Sequence, residues 1–266
     1  AQRWAATGSM VGGRWVLMEG MRERGAQGAG EYIACMFRQL LQGVSQRLPS
    51  QCVVCHAWPA QPVCEDCVAE FAQPVHRCTH CALPLPAGMP RCGACVTRPP
   101  PWDRALAAVS YAYPWSGLVV DLKFHAHPAW AGTLATLLRS TPWVEPALEA
   151  ADYLLPLPLS EQRLRSRGFN QAQEIARQLA PHKLRDDLLL RVRDTPPQSS
   201  LPRHERLRSV QGAFVVEPLR ARELAGKTVV LVDDVMTSGA SLHAASMVLR
   251  NAGVTHITVL VFARTE

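Results

Sequence analysis

The stretch VVLVDDVMTSGASL, from Val229 to Leu242, sets two adjacent carboxylates ahead of a turn crowded with hydroxyls. Gly239 permits a positive φ or a close backbone approach to a ligand. The backbone amides of Thr237 to Ser241, at a helix N-terminus, make an anion site. The hydroxyls of Thr237, Ser238 and Ser241 add donors to phosphate oxygens. Asp233 and Asp234 are acceptors and repel phosphate, so they suit sugar hydroxyls or a metal. A ligand with a phosphate at one end and a vicinal diol at the other satisfies both halves, and 5-phosphorylated ribose is such a ligand. A helix cap accounts for one acid but not for the apolar strand, the acid pair and the hydroxyl-rich turn together. Half of a Mg²⁺ site in a nucleoside-triphosphate enzyme is the other alternative, but G-x4-G-K-[ST] is absent, as is G-x-G-x-x-G.

A second chemistry lies upstream. Eight of the nine cysteines form four C-x2-C pairs: Cys52 and Cys55, Cys64 and Cys67, Cys78 and Cys81, Cys92 and Cys95. Two such turns complete a tetrathiolate site, so eight ligands suffice for two structural Zn²⁺ ions. No secretory signal is evident, so a reducing cytoplasm is expected and disulfides are disfavoured. Spacing leaves open whether neighbouring pairs share a metal or the first pairs with the third. Cys35 lies outside the pattern, and His56, His76 and His80 read as surface residues. Zinc ribbons can touch nucleic acid; without an aromatic and basic stripe, a structural role is favoured here.

Arginine supplies the third group. Arg163, Arg165 and Arg167 lie between a strand end and a helix in RLRSRGFNQ, with Gly168 as hinge. Guanidinium groups at a sheet's carboxyl edge bind pyrophosphate in bidentate fashion. The opposing reading is a solvated helix entry, which a glycine-broken loop makes less favourable. From Arg193 to Phe214 the chain is polar, basic and proline-bearing, the size of a lid. Gln198, Arg203, Arg206 and Arg208 are its candidate ligand contacts. Lys123 and His125 in LKFHAH are further candidates. Residues 160–210 hold eleven Lys or Arg against six Asp or Glu, a local excess of five that fits pyrophosphate and a DNA backbone equally.

These groups need a scaffold. ALAAVSYAY, YLLPLPL, DLLLRV, KTVVLVDDV and HITVLVFA read as strands. GLVVDLKF with WAGTLATLLRS, NQAQEIARQLA with Asn170 as N-cap, and SLHAASMVLRNAG ending at Gly253 read as helices. Alternation of this kind predicts an α/β fold, a mostly parallel twisted sheet with helices on both faces, whose ligands gather at the strands' carboxyl ends. Residues 103–266 make up this domain and 50–102 the cysteine-rich double zinc ribbon, closed by the stiff TRPPPWD. The ribbon has too few apolar residues to fold without metal. Residues 1–49 are expected to be a poorly ordered or partly helical extension.

Composition sets the limits. The chain has 266 residues, 48% of them hydrophobic and 19% charged, enough for one sizeable core and a small module. A net charge of +6 and a pI near 9.0 favour anionic partners. No run approaches the roughly 20 apolar residues of a membrane span.

Together, the four cysteine pairs, LKFH, LLPLPL, RLRSRGFNQAQ, RDTPPQ, RLRSVQGAF and the DD motif resemble the ComF family of competence-associated, amidophosphoribosyltransferase-like proteins, which also includes the GntX-type proteins. Met236, Ser238 and Ser241 stand where a bulky aliphatic residue, Thr and Thr are frequent; both serines keep the hydroxyl. The resemblance implies a type I phosphoribosyltransferase fold behind a double zinc ribbon, and a role in handling imported DNA. It assigns Asp233 and Asp234 to the ribose hydroxyls of phosphoribosyl pyrophosphate. Met236, Thr237, Ser238, Gly239, Ala240 and Ser241 form the loop around the 5-phosphate, and Mg²⁺ bridges pyrophosphate and ribose. Arg163, Arg165 and Arg167 stabilise the departing pyrophosphate, Arg167 with Asp233 and Asp234 forming the catalytic set. Two functions follow. One is phosphoribosyl transfer to an amine or base. The other is a non-catalytic sensor of the same ligand that binds single-stranded DNA, with a competence helicase as partner. No glutaminase domain with an N-terminal Cys or Ser is found, which argues against a complete glutamine-dependent amidotransferase.

Overall fold

A computed structural model describes residues 50–58, 60–124, 127–195 and 209–266. The N-terminal extension, Cys35, His125 and the lid residues Gln198, Arg203, Arg206 and Arg208 lie outside the described residues. Gln51–Glu266 forms one compact unit.

Among the described residues the sheet has four strands: β1 (Arg104–Ser110), β2 (Tyr153–Pro156), β5 (Thr228–Met236) and β6 (His256–Arg264). Their order is β1-β6-β5-β2 and every pairing is parallel. Two short strands, β3 (Leu189–Arg191) and β4 (Phe214–Val216), pair antiparallel as a separate ribbon.

Both faces of β5 are covered, which is why Val229 to Val232 form a continuous apolar run rather than an alternating one. Val230 and Val232 point to one face, where α4 (Trp130–Arg139) and α7 (Gln171–Leu179) pack through Leu134, Leu138, Ile175 and Leu179. Val229 and Leu231 point to the other, against Leu242, Ala245 and Leu249 of α8 (Ala240–Asn251) and Leu189 and Phe214 of the ribbon. Each fully buried Leu or Ile contributes roughly 1.5–3 kcal/mol relative to exposure.

Local signals set several boundaries. Asn170 caps α7, its Oδ1 accepting from the Ala172 amide at 3.0 Å. Gly253, at φ 90°, follows α8 as expected. YLLPLPL is strand only as far as Pro156 and then turns into loop.

Further helices are α3 (Trp115–Phe124), α5 (Val144–Ala150) and α6 (Glu161–Arg167). The last is a correction: RLRSR is a helix, not a glycine-broken loop. Ser160 stands at its N-cap position, and Gly168, at φ 81°, ends it in the left-handed region. Two short helices, α1 (Glu65–Phe71) and α2 (Gly93–Thr97), belong to the cysteine-rich segment. Among the described residues no helix is long and apolar enough to cross a membrane.

Candidate functional site

Parallel strands leave their carboxyl ends on one edge, and there the chain borders an open cavity of about 350 Å³. Tyr111 follows β1, Leu157 to Leu159 follow β2, and Asp233, Asp234 and Val235 end β5. Lys123 reaches in from α3, Arg163 and Arg167 from α6, Gln171 from α7 and Arg191 from β3. Thr237 and Ser241 complete the wall from the turn and the first residues of α8.

Strand alternation sends the two carboxylates to opposite faces of β5, yet each still borders the cavity. Asp233 Oδ1 accepts from the Asp234 amide, and Asp234 Oδ1 from the Val235 amide, both at 2.9 Å. Asp234 is buried, and its Oδ2 lies 2.6 Å from Lys123 Nζ. Burial pushes the Asp234 carboxyl upward, but Lys123 outweighs it and leaves the pKa below the ordinary range. Asp233 moves the other way: desolvation, then the neighbouring Asp234 charge, holds it well above that range. The pair is therefore poised with its ionisation split.

Among the described residues, four cations (Lys123, Arg163, Arg167 and Arg191) face two acids across this cavity, a formal excess of two positive charges. Desolvation lowers the pKa of Arg191 to about 10 and also that of Arg167, with Arg163 adding repulsion to each. Such crowding stores electrostatic cost that a polyanion relieves. Arg167 is held by Gln171 Oε1 at 2.8 Å and lies 5.1 Å over the Phe124 ring. Arg191 donates to Thr195 Oγ1 at 2.6 Å, and Arg163 to the Thr195 carbonyl at 3.1 Å. The turn itself has Gly239 at φ 75°, the conformation its type predicts. Ser238 Oγ accepts from the Ala240 amide at 3.3 Å.

The cysteines resolve into two clusters, Cys52, Cys55, Cys64 and Cys67, then Cys78, Cys81, Cys92 and Cys95. Neighbouring pairs share a cluster. Sulfur separations are 3.8 Å for Cys52–Cys67, 3.5 Å for Cys55–Cys64 and 3.7 Å for Cys81–Cys92. A tetrahedron of zinc–sulfur bonds of about 2.3 Å has edges of about 3.8 Å, so both clusters could hold zinc ions. Burial raises the thiols, yet the backbone amides of Cys55, Cys64 and Val54 bring Cys52 down to about 6. Those of Cys92, His80 and Cys81 bring Cys78 to about 7, favouring the thiolate a metal needs.

Residues 164–266 match the phosphoribosyl transferase domain family. The chain is 33% identical over 224 residues to DNA utilization protein YhgH of Salmonella typhimurium, covering 78% of this chain and 94% of that protein. It is 32% identical over 197 residues to competence protein F of Haemophilus influenzae, covering 70% and 84% of the two. A shorter match, 34% over 100 residues, is to competence protein ComFC of Bacillus subtilis, covering 38% of this chain and 39% of that one. The chain belongs to the ComF family.

Not every residue singled out in this ComF-family sequence reaches the acid-lined cavity. Arg165 is turned to solvent and pairs with Glu161 one helical turn back. Met236 and Ala240 are buried in the core beneath α8. Ser238 and Gly239, with the Met236 side chain, border a different cavity behind the turn. Sequence reading missed Tyr111, Gln171 and Arg191. Gln171 sits within RGFNQ, so that motif was the available signal. Tyr111 and Arg191 arrive only through sheet order and the β3–β4 ribbon.

Proposed function

We propose that this protein binds phosphoribosyl pyrophosphate with Mg²⁺ and transfers the 5-phosphoribosyl group to an acceptor, releasing pyrophosphate, in a role linked to competence and DNA uptake. The observation that carries the reading is one cavity bordered by an acid pair, a hydroxyl-bearing turn and four cations. Its family membership and the phosphoribosyl transferase match point the same way.

In this reading Asp233 and Asp234 accept from the ribose hydroxyls and fix the sugar. Thr237, Ser241 and the turn amides take the 5-phosphate. Arg163, Arg167 and Arg191 receive the pyrophosphate. As the bond from the sugar's anomeric carbon to pyrophosphate breaks, its electron pair leaves with the pyrophosphate and positive charge grows on the carbon. The guanidinium groups stabilise the departing anion, while the acid pair lies on the cationic side of the reaction. The acceptor's lone pair forms the new bond and its proton passes to solvent. Mg²⁺ supplies charge neutralisation of the pyrophosphate. Positioning and electrostatics carry the rate, since no side chain needs to form a covalent intermediate. The two cysteine clusters would each hold a zinc ion, and that coordination would keep the N-terminal ribbons folded.

A second reading keeps the ligand but not the turnover: a phosphoribosyl pyrophosphate sensor whose basic surface binds single-stranded DNA. The names of its relatives, a DNA utilization protein and competence proteins, favour it. Pyrophosphate release assayed with amine and nucleobase acceptors separates the two. Release above the acceptor-free rate supports transfer, whereas saturable binding without release under every acceptor supports the sensor.

A further inference from the structure

The second cysteine cluster and the anion-binding turn are joined by two buried side chains. Arg264, at the end of β6, is 5% exposed. Its Nε donates to the Cys81 carbonyl at 2.8 Å. From the same guanidinium, Nη1 donates to the carbonyls of Met236 at 3.0 Å and Thr237 at 2.7 Å. Trp102, also 5% exposed, makes the parallel connection. Its Nε1 donates to the His80 carbonyl, inside the Cys78-to-Cys81 knuckle. Its ring edge lies 3.5 Å from where a Cβ on Gly239 would stand, and the ring packs edge-on against His243 of α8. Around these contacts lies a cavity of about 570 Å³, walled by Cys81, Cys92 and Cys95 on one side and by Met236, Ser238 and Gly239 on the other.

We propose that Arg264 is a positioning residue through which metal binding at the second cysteine cluster sets the conformation of the turn that receives the 5-phosphate; the ligand part of this inference rests on the function proposed above. A guanidinium is a planar, rigid fork, so fixing one of its acceptors fixes the direction of the others. Tetrathiolate coordination locks the Cys78-to-Cys81 knuckle and therefore the Cys81 carbonyl. When the metal leaves, four thiols at near-contact spacing separate and that carbonyl is released. A buried N–H that loses its acceptor is costly, so Arg264 re-aims and takes the Thr237 carbonyl with it, whereas the Met236 carbonyl is also held by the Thr265 amide at 3.1 Å. The Thr237–Ser238 peptide unit so displaced carries one of the amides that the proposed function assigns to the phosphate. Linkage makes the effect reciprocal: ligand in the turn tightens the second metal site. The first cluster is a built-in control. It meets the α/β body elsewhere, where Trp115 Nε1 donates to the Phe71 carbonyl at 2.8 Å.

The test uses the full chain loaded with zinc. Zinc affinity is measured by equilibrium competition with a chromogenic chelator, with and without phosphoribosyl pyrophosphate and Mg²⁺. Alkylation of released thiols, read by mass spectrometry, assigns each loss to its cluster. The expected result is that ligand tightens the second cluster about tenfold and leaves the first unchanged. In Arg264→Met, and in Arg264→Lys, which keeps charge but not the fork, that difference disappears while zinc content stays the same. If calorimetry shows the ligand bound and neither cluster responds, the coupling is refuted. If the ligand does not bind, the ribose reading fails instead, and a ligand-free measurement on wild type decides the coupling. Amide hydrogen exchange at residues 237–241 should quicken about tenfold when the second cluster alone is stripped, with α7 unchanged. Unaltered exchange there refutes the proposal even if both variants fail to fold.

Discussion

The Lys123 ammonium lies 2.6 Å from Oδ2 of Asp234, joining the end of α3 to the end of β5 across the cavity. The carboxylate is 4% exposed and the lysine 19%, so the pair is held largely out of water. That contact keeps one of two adjacent acids ionised in a crowded, dry corner.

Removing the lysine alone should strand the charge. Lys123→Met is expected to destabilise the fold by on the order of 3 kcal/mol, as for a buried ion pair broken from one side. Asp234→Asn in the same chain should return most of that loss. The sign of the pH dependence follows from the lowered Asp234 pKa: its contribution is present above the unfolded value and fades as pH falls through the folded one. Urea unfolding of wild type, both single variants and the double variant between pH 3 and pH 7 gives the coupling directly.

Asp233 predicts the opposite slope. Desolvation and Asp234 raise its pKa, so the folded state holds this proton more tightly than the unfolded chain does. Stability should fall as pH rises from the unfolded carboxyl value, about 3.9, through the raised folded value. Asp233→Asn should remove that fall, leaving the ligand-free protein more stable than wild type at neutral pH while weakening sugar binding. Denaturation series at several pH values check it, and an identical slope in both proteins would contradict it.

Arg165 and Arg167 stand two residues apart on α6, but only Arg167 lines the cavity. Arg167→Met should weaken inorganic pyrophosphate binding about 10–100-fold, the loss of one or two charge-assisted hydrogen bonds. Arg165→Met should change it less than about threefold, by removing only an exposed charge. Competition against phosphoribosyl pyrophosphate at fixed ionic strength measures both.

Gly239 carries a positive φ, yet a Cβ there would meet Trp102 only at 3.5 Å, an ordinary contact. Gly239→Ala therefore costs backbone strain rather than space, about 1–2 kcal/mol. The thermal midpoint of the variant, with zinc content unchanged, checks this; a much larger loss would mean that the turn tolerates no displacement at all.

Much of this was legible in the sequence because the signals were local. The apolar run of β5, the acids, Gly239 and the amphipathic helix after them are contiguous, and Asn170 before NQAQEIARQLA is a cap with its helix attached. The arginine helix was misread as loop although Ser160, Glu161 and Gly168 already supplied its boundaries; with three arginines in so short a helix, no apolar stripe marks the period. Cysteine spacing gave the ligands but not their grouping, which depends on how successive knuckles fold onto each other. Arg191 and Tyr111 lie far in sequence from the acids they face. Arg264 is 183 residues from the Cys81 carbonyl it binds, and only the position of β6 beside β1 and β5 brings them together.

The most direct measurement of the central claim is a calorimetric titration of phosphoribosyl pyrophosphate with Mg²⁺ into wild type and Asp233→Asn/Asp234→Asn, alongside inorganic pyrophosphate. The account predicts one saturable site in wild type. In the double variant the sugar-bearing ligand should lose at least about a hundredfold in affinity, since both hydroxyl acceptors lose their charge, while pyrophosphate alone binds no more weakly than before. Equal affinity of both proteins for phosphoribosyl pyrophosphate would contradict it.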